Sequence, residues 1–407
     1  MKKLRVGVLF GGRSGEHEVS LLSAASVVEA LDKSKYEVVP IGITKEGRWL
    51  TADHAERLLH GKESLESRSP ERAGVARSGA QGRHLRAGDP EATPGFALLA
   101  RGESIMVPPV PGMELQAFSS AALHRRVSDR AIDVDIVFPV LHGTFGEDGT
   151  IQGLLELADI PYVGAGVLGS AAGMDKAVMK ELFRAAGLPI VKHVTILRKQ
   201  WEDGPKRVRR GIESALKYPL FVKPANLGSS LGISKVRERS ELDAAMDEAA
   251  KFDRKLVVEQ GVGGGKGRAR EIECSVLGND EPQASVAGEI VPSAEFYDYA
   301  AKYVDEGSQL IIPAKLTRAQ QKRVQQLAVR AFLAVDCSGL ARVDFLGDPR
   351  TGRIFVNEIN TMPGFTSISM YPKLWAASGV PYAALLDRLI QLGLERHAEK
   401  KRNQYSR

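Results

Sequence analysis

The chain has 407 residues, of which 43% are hydrophobic and 26% charged, enough for two or three domains with ample core and ordinary for a globular protein. The net charge of +6 is spread along the chain, so it admits anionic ligands but does not argue for nucleic acid. Two cysteines, Cys274 and Cys337, each in an apolar stretch, imply no disulfide framework and fit a reducing cytosol.

The start, "MKKLRVGVLFGG", has an apolar run too short for a signal peptide and reads as a first buried strand. "EHEVSLLSAASVVEALD" follows as a helix, with Leu21, Ala24, Ala25 and Val28 at helical spacing. "YEVVPIGIT" is the next strand. Strand, helix, strand predicts a doubly wound unit with its ligands at the carboxyl ends of the strands. Residues from about 60 to 95 lose periodicity and fill with Gly, Ser, Pro, Arg and Glu, as in a flexible insertion. "DVDIVFPVLHGTFGEDG" is a buried strand running into a glycine-rich loop around His142.

"MDKAVMKELFRAAGLPI" reads as a helix stopped by Gly187 and Pro189. "YPLFVKPANLGSSLGISKV" is a strand, a Gly/Ser loop and a second strand. Lys223 ends the first strand, and the loop has little side-chain bulk, so its backbone N–H groups can face phosphate oxygens. It is not a Walker loop; "GVGGGKGR" comes near but has Gly267 where Ser or Thr is required, and "GGRSG" fails the dinucleotide fingerprint. "KLVVEQGV" and "REIECSVLG" are strands. "TRAQQKRVQQLAVRAFLAV" is an amphipathic helix with Val324, Leu327, Ala328, Ala331 and Phe332 facing inward.

"GLARVDFLGDPRTGRIFVNEINTMPGF" predicts a hairpin across the turn-rich "GDPRTG". Alternation puts Val356, Glu358 and Asn360 on one face and Phe355, Asn357 and Ile359 on the other. Asp344 then lies beside Glu358 and Asn360. Two carboxylates and an amide on a half-buried surface call for a cation, and hard oxygen ligands this few suit Mg²⁺ shared with phosphates. The alternative is a solvated edge strand. No run approaches transmembrane length, and the protein is expected to be soluble and cytoplasmic.

With "GEHEVS", "VLHGTFGEDGTIQG", "MDK", "VKPANLGSSLGISKV", "VVEQGV", "EFYDYAAKY", "RVDF" and "NEINTMPGFTSISMYP" in this order, the chain resembles the D-alanine:D-alanine ligases of the ATP-grasp superfamily over nearly its whole length. The resemblance implies an α/β architecture: an N-terminal doubly wound (pre-ATP-grasp) domain over 1–143, then two α+β domains, 144–260 and 261–407, clasping ATP. The insertion has no counterpart in the shortest members.

In such ligases Lys176 and Lys223 would contact the phosphates. Glu259, with Gln260 and the neighbouring backbone, would hold adenine, and Glu271 the ribose, with Glu273 a rival. Asp344, Glu358 and Asn360 would hold two Mg²⁺ ions, for which Mn²⁺ can substitute. Arg342 and the Gly364 N–H would steady the oxyanion. Glu18 would take the ammonium of the first D-alanine, His142 would orient that substrate, and Ser369 with the Met370 backbone would bind the carboxylate of the second. "EFYDYAAKY" would be a lid, its Lys302 reaching the γ-phosphate and its Tyr303 joining Glu18 and Ser229. Tyr303 also favours an amine over a hydroxyl nucleophile.

The implied reaction is ATP-dependent formation of D-alanyl-D-alanine through D-alanyl phosphate, for peptidoglycan precursors, by a homodimer with no membrane or nucleic-acid partner. Rival readings are a D-alanine:D-lactate or D-alanine:D-serine ligase, another ATP-grasp carboxylate–amine ligase, and a non-catalytic nucleotide-binding regulator. The last predicts lost metal ligands, yet all three are present.

Overall fold

The structure, a computed structural model, describes residues 2–50, 54–59, 103–106, 115–119, 131–228, 231–263, 268–291 and 309–404. The expectations for Ser229, Lys302, Tyr303, the lid and the 60–95 insertion lie outside the described residues.

Strand β1 (Leu4–Gly11) pairs in parallel with β2 (Tyr36–Ile43) and β7 (Ile136–Val140). All five residues of β7 are buried, as expected of a strand covered on both faces. Helix α1 (His17–Ala30) makes the crossover from β1 to β2. This is the predicted doubly wound unit. Beyond β2 the sheet continues antiparallel through β3 (Trp49–Leu50), β4 (Glu103–Met106), β5 (Leu115–Ser119) and β6 (Ala131–Ile132), giving the order β6-β5-β4-β3-β2-β1-β7. Gly11 closes β1 at φ +90°, and a side chain there would run into the Ile43 carbonyl; only glycine is at ease in such a place.

The inward face of α1 is more polar than its apolar spacing suggests. Its buried residues are His17, Val19, Ser20, Ser23, Ala24 and Val27, while Leu21, Ala25 and Val28 pack only partly against the core. Two serines go inside because the helix lies over the ends of β1 and β7, where loop backbone needs partners. Ser20 Oγ accepts from the Gly11 N–H (2.8 Å) and donates to the Val140 carbonyl.

The middle sheet is antiparallel, in the order β10-β9-β11-β8, from β8 (His193–Leu197), β9 (Leu220–Pro224), β10 (Ser234–Val236) and β11 (Lys255–Gln260). The third sheet is also antiparallel, in the order β14-β13-β12-β15-β16, from β12 (Arg270–Gly278), β13 (Gln283–Val291), β14 (Gln309–Ile311), β15 (Gly339–Gly347) and β16 (Ile354–Asn360). Helix α2 (Lys176–Ala185) starts at Asp175, whose carboxylate caps the Ala177 and Val178 N–H groups, and it stops before Gly187 at φ +65°. Helix α3 (Arg318–Ala334) buries the five residues predicted. Helix α4 (Met370–Ala377) and helix α5 (Tyr382–Lys400) close the chain, and α5 returns to the first domain. Its Leu385, Leu386, Leu389 and Ile390 share one core with Val6, Val8 and Phe138.

The predicted hairpin forms, with Arg342 opposite Asn360 and Asp344 opposite Glu358. The face assignment needs one correction. A bulge follows Asp344, so Phe345 pairs with Val356 and Asn357 is the extra residue. Strict alternation is lost at a bulge. Val356 therefore faces the core with Ile359, Val343 and Phe345, not the polar side with Glu358.

Candidate active site

Three lysines and two carboxylates meet between the two antiparallel sheets. Lys180 Nζ lies 3.0 Å from Glu259 Oε1, and Lys223 Nζ lies 2.9 Å from Glu259 Oε2. Lys176 Nζ donates to the Leu227 carbonyl at 2.6 Å. Burial alone would raise the Glu259 carboxyl, but Lys180 and Lys223 overcome it and hold the group at about 2. Burial likewise opposes the Lys223 ammonium, yet Glu259 and then Glu358 outweigh it and raise its affinity for the proton. Burial dominates at Lys176 and Lys180 and lowers both. With Glu358 acting on all three lysines, the group holds one cation more than it has anions. An anionic ligand balances it.

Lys223 meets Glu259 directly and Lys176 lies close enough to feel its charge, whereas the sequence reading assigns the two lysines to the phosphates and Glu259 to adenine. Lys180, which that reading passed over, is fully buried and also donates to the Asn357 carbonyl at 3.1 Å, in the hairpin bulge. Its spacing of four from Lys176 on α2 was the available signal. Gln260 lies at the strand end, its side chain accepting from the Lys217 N–H at 3.1 Å. Glu271 is half-buried with Arg268 at 3.4 Å, whereas Glu273 is buried opposite Asp344 and meets Arg342 Nε at 3.1 Å.

Arg342 is bidentate to Asp344, with Nε–Oδ1 and Nη2–Oδ2 both 2.7 Å. Asn360 Nδ2 donates to Asp344 Oδ2 at 2.9 Å, which leaves the amide oxygen to serve as a ligand. Among the described residues no cluster of three or more His, Cys, Asp or Glu is assembled for a metal. The hairpin offers two carboxylates and an amide on one polar face, a partial oxygen set of the kind Mg²⁺ completes with phosphate and water.

The MPGF turn after β16 is gripped from several sides. Glu147 is half-buried, accepting from the Gly143 N–H (2.7 Å) and the Met362 N–H (3.0 Å). Burial first and Glu16 second push its carboxyl up to about 8. His142 Nδ1 is 3.0 Å from the Met362 carbonyl and Nε2 is 3.0 Å from Ser23 Oγ. Both ring nitrogens are thus committed to protein. Tyr382 Oη donates to the Phe365 carbonyl at 2.6 Å. Among the described residues nothing accepts from the Gly364 N–H. Ser369 stands just before α4, its Oγ accepting from the Thr366 N–H at 3.1 Å rather than capping the helix, and Met370 opens that helix. Helix N-termini favour carboxylates.

Glu18 does not reach this site. Its side chain, 41% exposed, pairs with Lys45. Glu16 is the carboxylate turned inward: a Cβ on Gly143 or Gly228 would sit 2.6 or 2.8 Å from Glu16 Oε2. Two residues apart at a helix start point about 200° apart, so only one of the pair can face the Gly/Ser loop. Nothing in "GEHEVS" by itself says which.

Two facing antiparallel sheets with cations between them, behind a doubly wound domain, define an ATP-grasp fold. The D-ala D-ala ligase N-terminus family matches residues 5–165, and the D-ala D-ala ligase C-terminus family matches 182–391. A D-alanine--D-alanine ligase of Heliobacterium modesticaldum is 48% identical over 404 residues, covering 99% of this chain and 98% of the relative. One from Thermoanaerobacter sp. is 50% identical over 404 residues, covering 99% of both. Among solved structures, the D-alanine-D-alanine ligase from Coxiella burnetii superposes with a TM-score of 0.76 at 37% identity, covering 99% of this chain and 97% of that one. The VanG D-Ala:D-Ser ligase from Enterococcus faecalis does so with a TM-score of 0.76 at 36% identity, covering 96% and 100%. The chain belongs to the D-alanine–D-alanine ligase family. Among the described residues no helix is long and apolar enough to cross a membrane.

Proposed function

We propose that this protein joins two D-alanine molecules to D-alanyl-D-alanine at the expense of ATP, in the cytoplasm, as a step of peptidoglycan precursor synthesis. The observation that carries the reading is the polar hairpin face of Arg342, Asp344, Glu358 and Asn360 set against the Lys176–Lys180–Lys223 cluster. A phosphorylated nucleotide fits between oxygen ligands and lysines, and a carboxylate fits beside Arg342.

In this reading Lys176 and Lys223 hold the phosphates, Glu259 and Gln260 mark the adenine end, and Glu271 takes the ribose. Asp344, Glu358 and Asn360 would hold Mg²⁺, which neutralises phosphate charge when bound, and Mn²⁺ offers the same coordination. The first D-alanine carboxylate attacks the γ-phosphate, giving D-alanyl phosphate and ADP. The amine of the second, once its ammonium has lost a proton, then attacks the acyl carbon, and the tetrahedral adduct expels inorganic phosphate to leave the dipeptide. Arg342 and the Gly364 N–H face the oxygen that gains charge in that step. Glu16 rather than Glu18 takes the ammonium of the first D-alanine, since it lies against Gly143 and Gly228. Ser369 and the first N–H groups of α4 receive the carboxylate of the second. The lid roles of Lys302 and Tyr303, the part of Ser229 and a homodimeric assembly belong to the same reading.

Phosphate release from ATP and Mg²⁺ tests it, with D-alanine alone, L-alanine alone, and D-alanine mixed with D-serine or D-lactate, each product weighed by mass spectrometry. D-alanyl-D-alanine from D-alanine alone is the expected result. Release only when D-serine or D-lactate is added moves the second-substrate assignment, and no release overturns the reading.

A further inference from the structure

Residues 362–365 form the turn that carries Gly364, and they are held by a closed run of polar contacts with no part yet in the chemistry. From one side, His142 Nδ1 meets the Met362 carbonyl at 3.0 Å. Its Nε2 meets Ser23 Oγ at 3.0 Å, and Ser23 Oγ in turn receives the Phe365 N–H at 3.3 Å. Ser23 and Phe365 are wholly buried, and His142 is 4% exposed.

The protons in this run follow from the partners. A carbonyl only accepts, so His142 Nδ1 must carry the hydrogen. Burial holds the imidazole neutral, so Nε2 is an acceptor, and the Ser23 hydroxyl must donate to it. The Ser23 lone pairs are then turned to the Phe365 N–H. Each contact fixes the sense of the next, and the run spans the turn on both sides of Gly364. On the far side, Glu147 accepts from the Met362 N–H and Tyr382 donates to the Phe365 carbonyl. The backbone polar groups of Met362 and Phe365 are all taken, and the Gly364 N–H between them is left to a ligand.

We propose that Ser23 is a positioning residue for the ligation: acting through His142 and the Phe365 N–H, its hydroxyl sets the angle at which Gly364 presents its N–H to the oxyanion. The inference deepens the ligase reading and rests on it for the role of Gly364. It also explains why a serine occupies a wholly buried position of α1, where an alanine would pack equally well. An oxyanion donor displaced by a fraction of an ångström loses much of its value in the transition state, and little in substrate binding.

The test uses Ser23→Ala and Tyr382→Phe in the full chain. Each is expected to lower kcat about ten- to hundredfold, with KM for ATP unchanged. Affinity for a phosphinate analogue of the tetrahedral intermediate should fall by the same factor, because that ligand reads the oxyanion site directly. Histidine labelled with ¹⁵N supplies a readout independent of activity. The wild type should show His142 as the Nδ1–H tautomer with a hydrogen-bonded Nε2, and Ser23→Ala should shift the Nε2 resonance alone. Should Ser23→Ala not fold, Tyr382→Phe carries the kinetic arm, and the wild-type tautomer carries the other. Unchanged kcat and analogue affinity in a folded variant, or an Nε2–H tautomer in the wild type, overturns the proposal. A wild type inactive on D-alanine defeats the ligase reading instead, and the tautomer still decides whether the Ser23 contact is made as described.

Discussion

Lys180 Nζ stands 3.0 Å from Glu259 Oε1, and the two side chains are only 1% and 3% exposed. An ion pair this deep is costly to strand. The Glu259 carboxyl falls from an ordinary value of 4.5 to about 2, held there against burial by Lys180 and Lys223. A carboxyl lowered in the folded state adds stability above its unfolded value and loses it as pH falls toward the folded one. The loss therefore runs from about pH 5 down to about pH 2 and amounts to roughly 3 kcal/mol. Lys180→Met should cost about 3 kcal/mol at neutral pH and move the acid limb upward. Denaturant unfolding at stepped pH measures both; a variant whose acid limb overlays the wild type would show that Lys223 alone supports Glu259.

Glu16 and Glu18 separate cleanly by experiment. Glu16→Gln keeps shape and removes the charge beside Gly143 and Gly228. Its kcat/KM for D-alanine should fall about a hundredfold, whereas Glu18→Gln, exposed against Lys45, should change it less than about threefold. Initial rates across D-alanine concentration suffice. A large effect from Glu18→Gln together with a small one from Glu16→Gln would restore the assignment the sequence suggested.

Arg342 holds Asp344 by two bonds and Glu273 by a third contact. Arg342→Ala should reduce turnover by about 10²–10³-fold, equivalent to roughly 3–4 kcal/mol, while ATP still binds. Arg342→Lys should recover little, since an ammonium cannot repeat the fork. Calorimetric titration with a nucleotide beside steady-state kinetics separates the two quantities. Parallel loss of ATP affinity and turnover would place Arg342 in nucleotide binding instead.

Much of this architecture is readable from residue pattern. The apolar spacing of α3, the Gly187 and Pro189 stop of α2 and the turn-rich "GDPRTG" each have a local cause, and each element forms where the sequence puts it. What escapes is set by tertiary contact. Ser23 looks like a weak position in an apolar helix face until the Phe365 N–H arrives from 342 residues away. Lys180 looks like a surface lysine until Glu259 and the Asn357 carbonyl converge on it. The bulge at Asn357 has no signature in "IFVNEIN", and without it alternation assigns Val356 to the wrong face. The same limit applies to Glu16, whose direction depends on where the Gly228 loop lies.

That bulge shapes the metal prediction. It inserts one residue between Val356, which faces the core, and Glu358, which pairs with Asp344. Asp344 and Glu358 are thereby set side by side with Asn360 next along the same face, and the Arg342 guanidinium is the cation bonded to Asp344. Glu358→Gln and Asp344→Asn each remove one hard charge while preserving shape. Both should raise the Mg²⁺ concentration needed for half-maximal nucleotide binding by about tenfold or more, since divalent affinity in such sites follows ligand charge. Asp344→Asn should also release Arg342 from its fork and cost about 1–3 kcal/mol of stability without nucleotide. Calorimetric titration of ADP at stepped Mg²⁺ gives the first quantity, and chelator-treated thermal unfolding gives the second. Nucleotide binding that ignores Mg²⁺ in the wild type, or an unchanged Mg²⁺ requirement in both variants, would mean that the polar hairpin face serves only to seat Arg342.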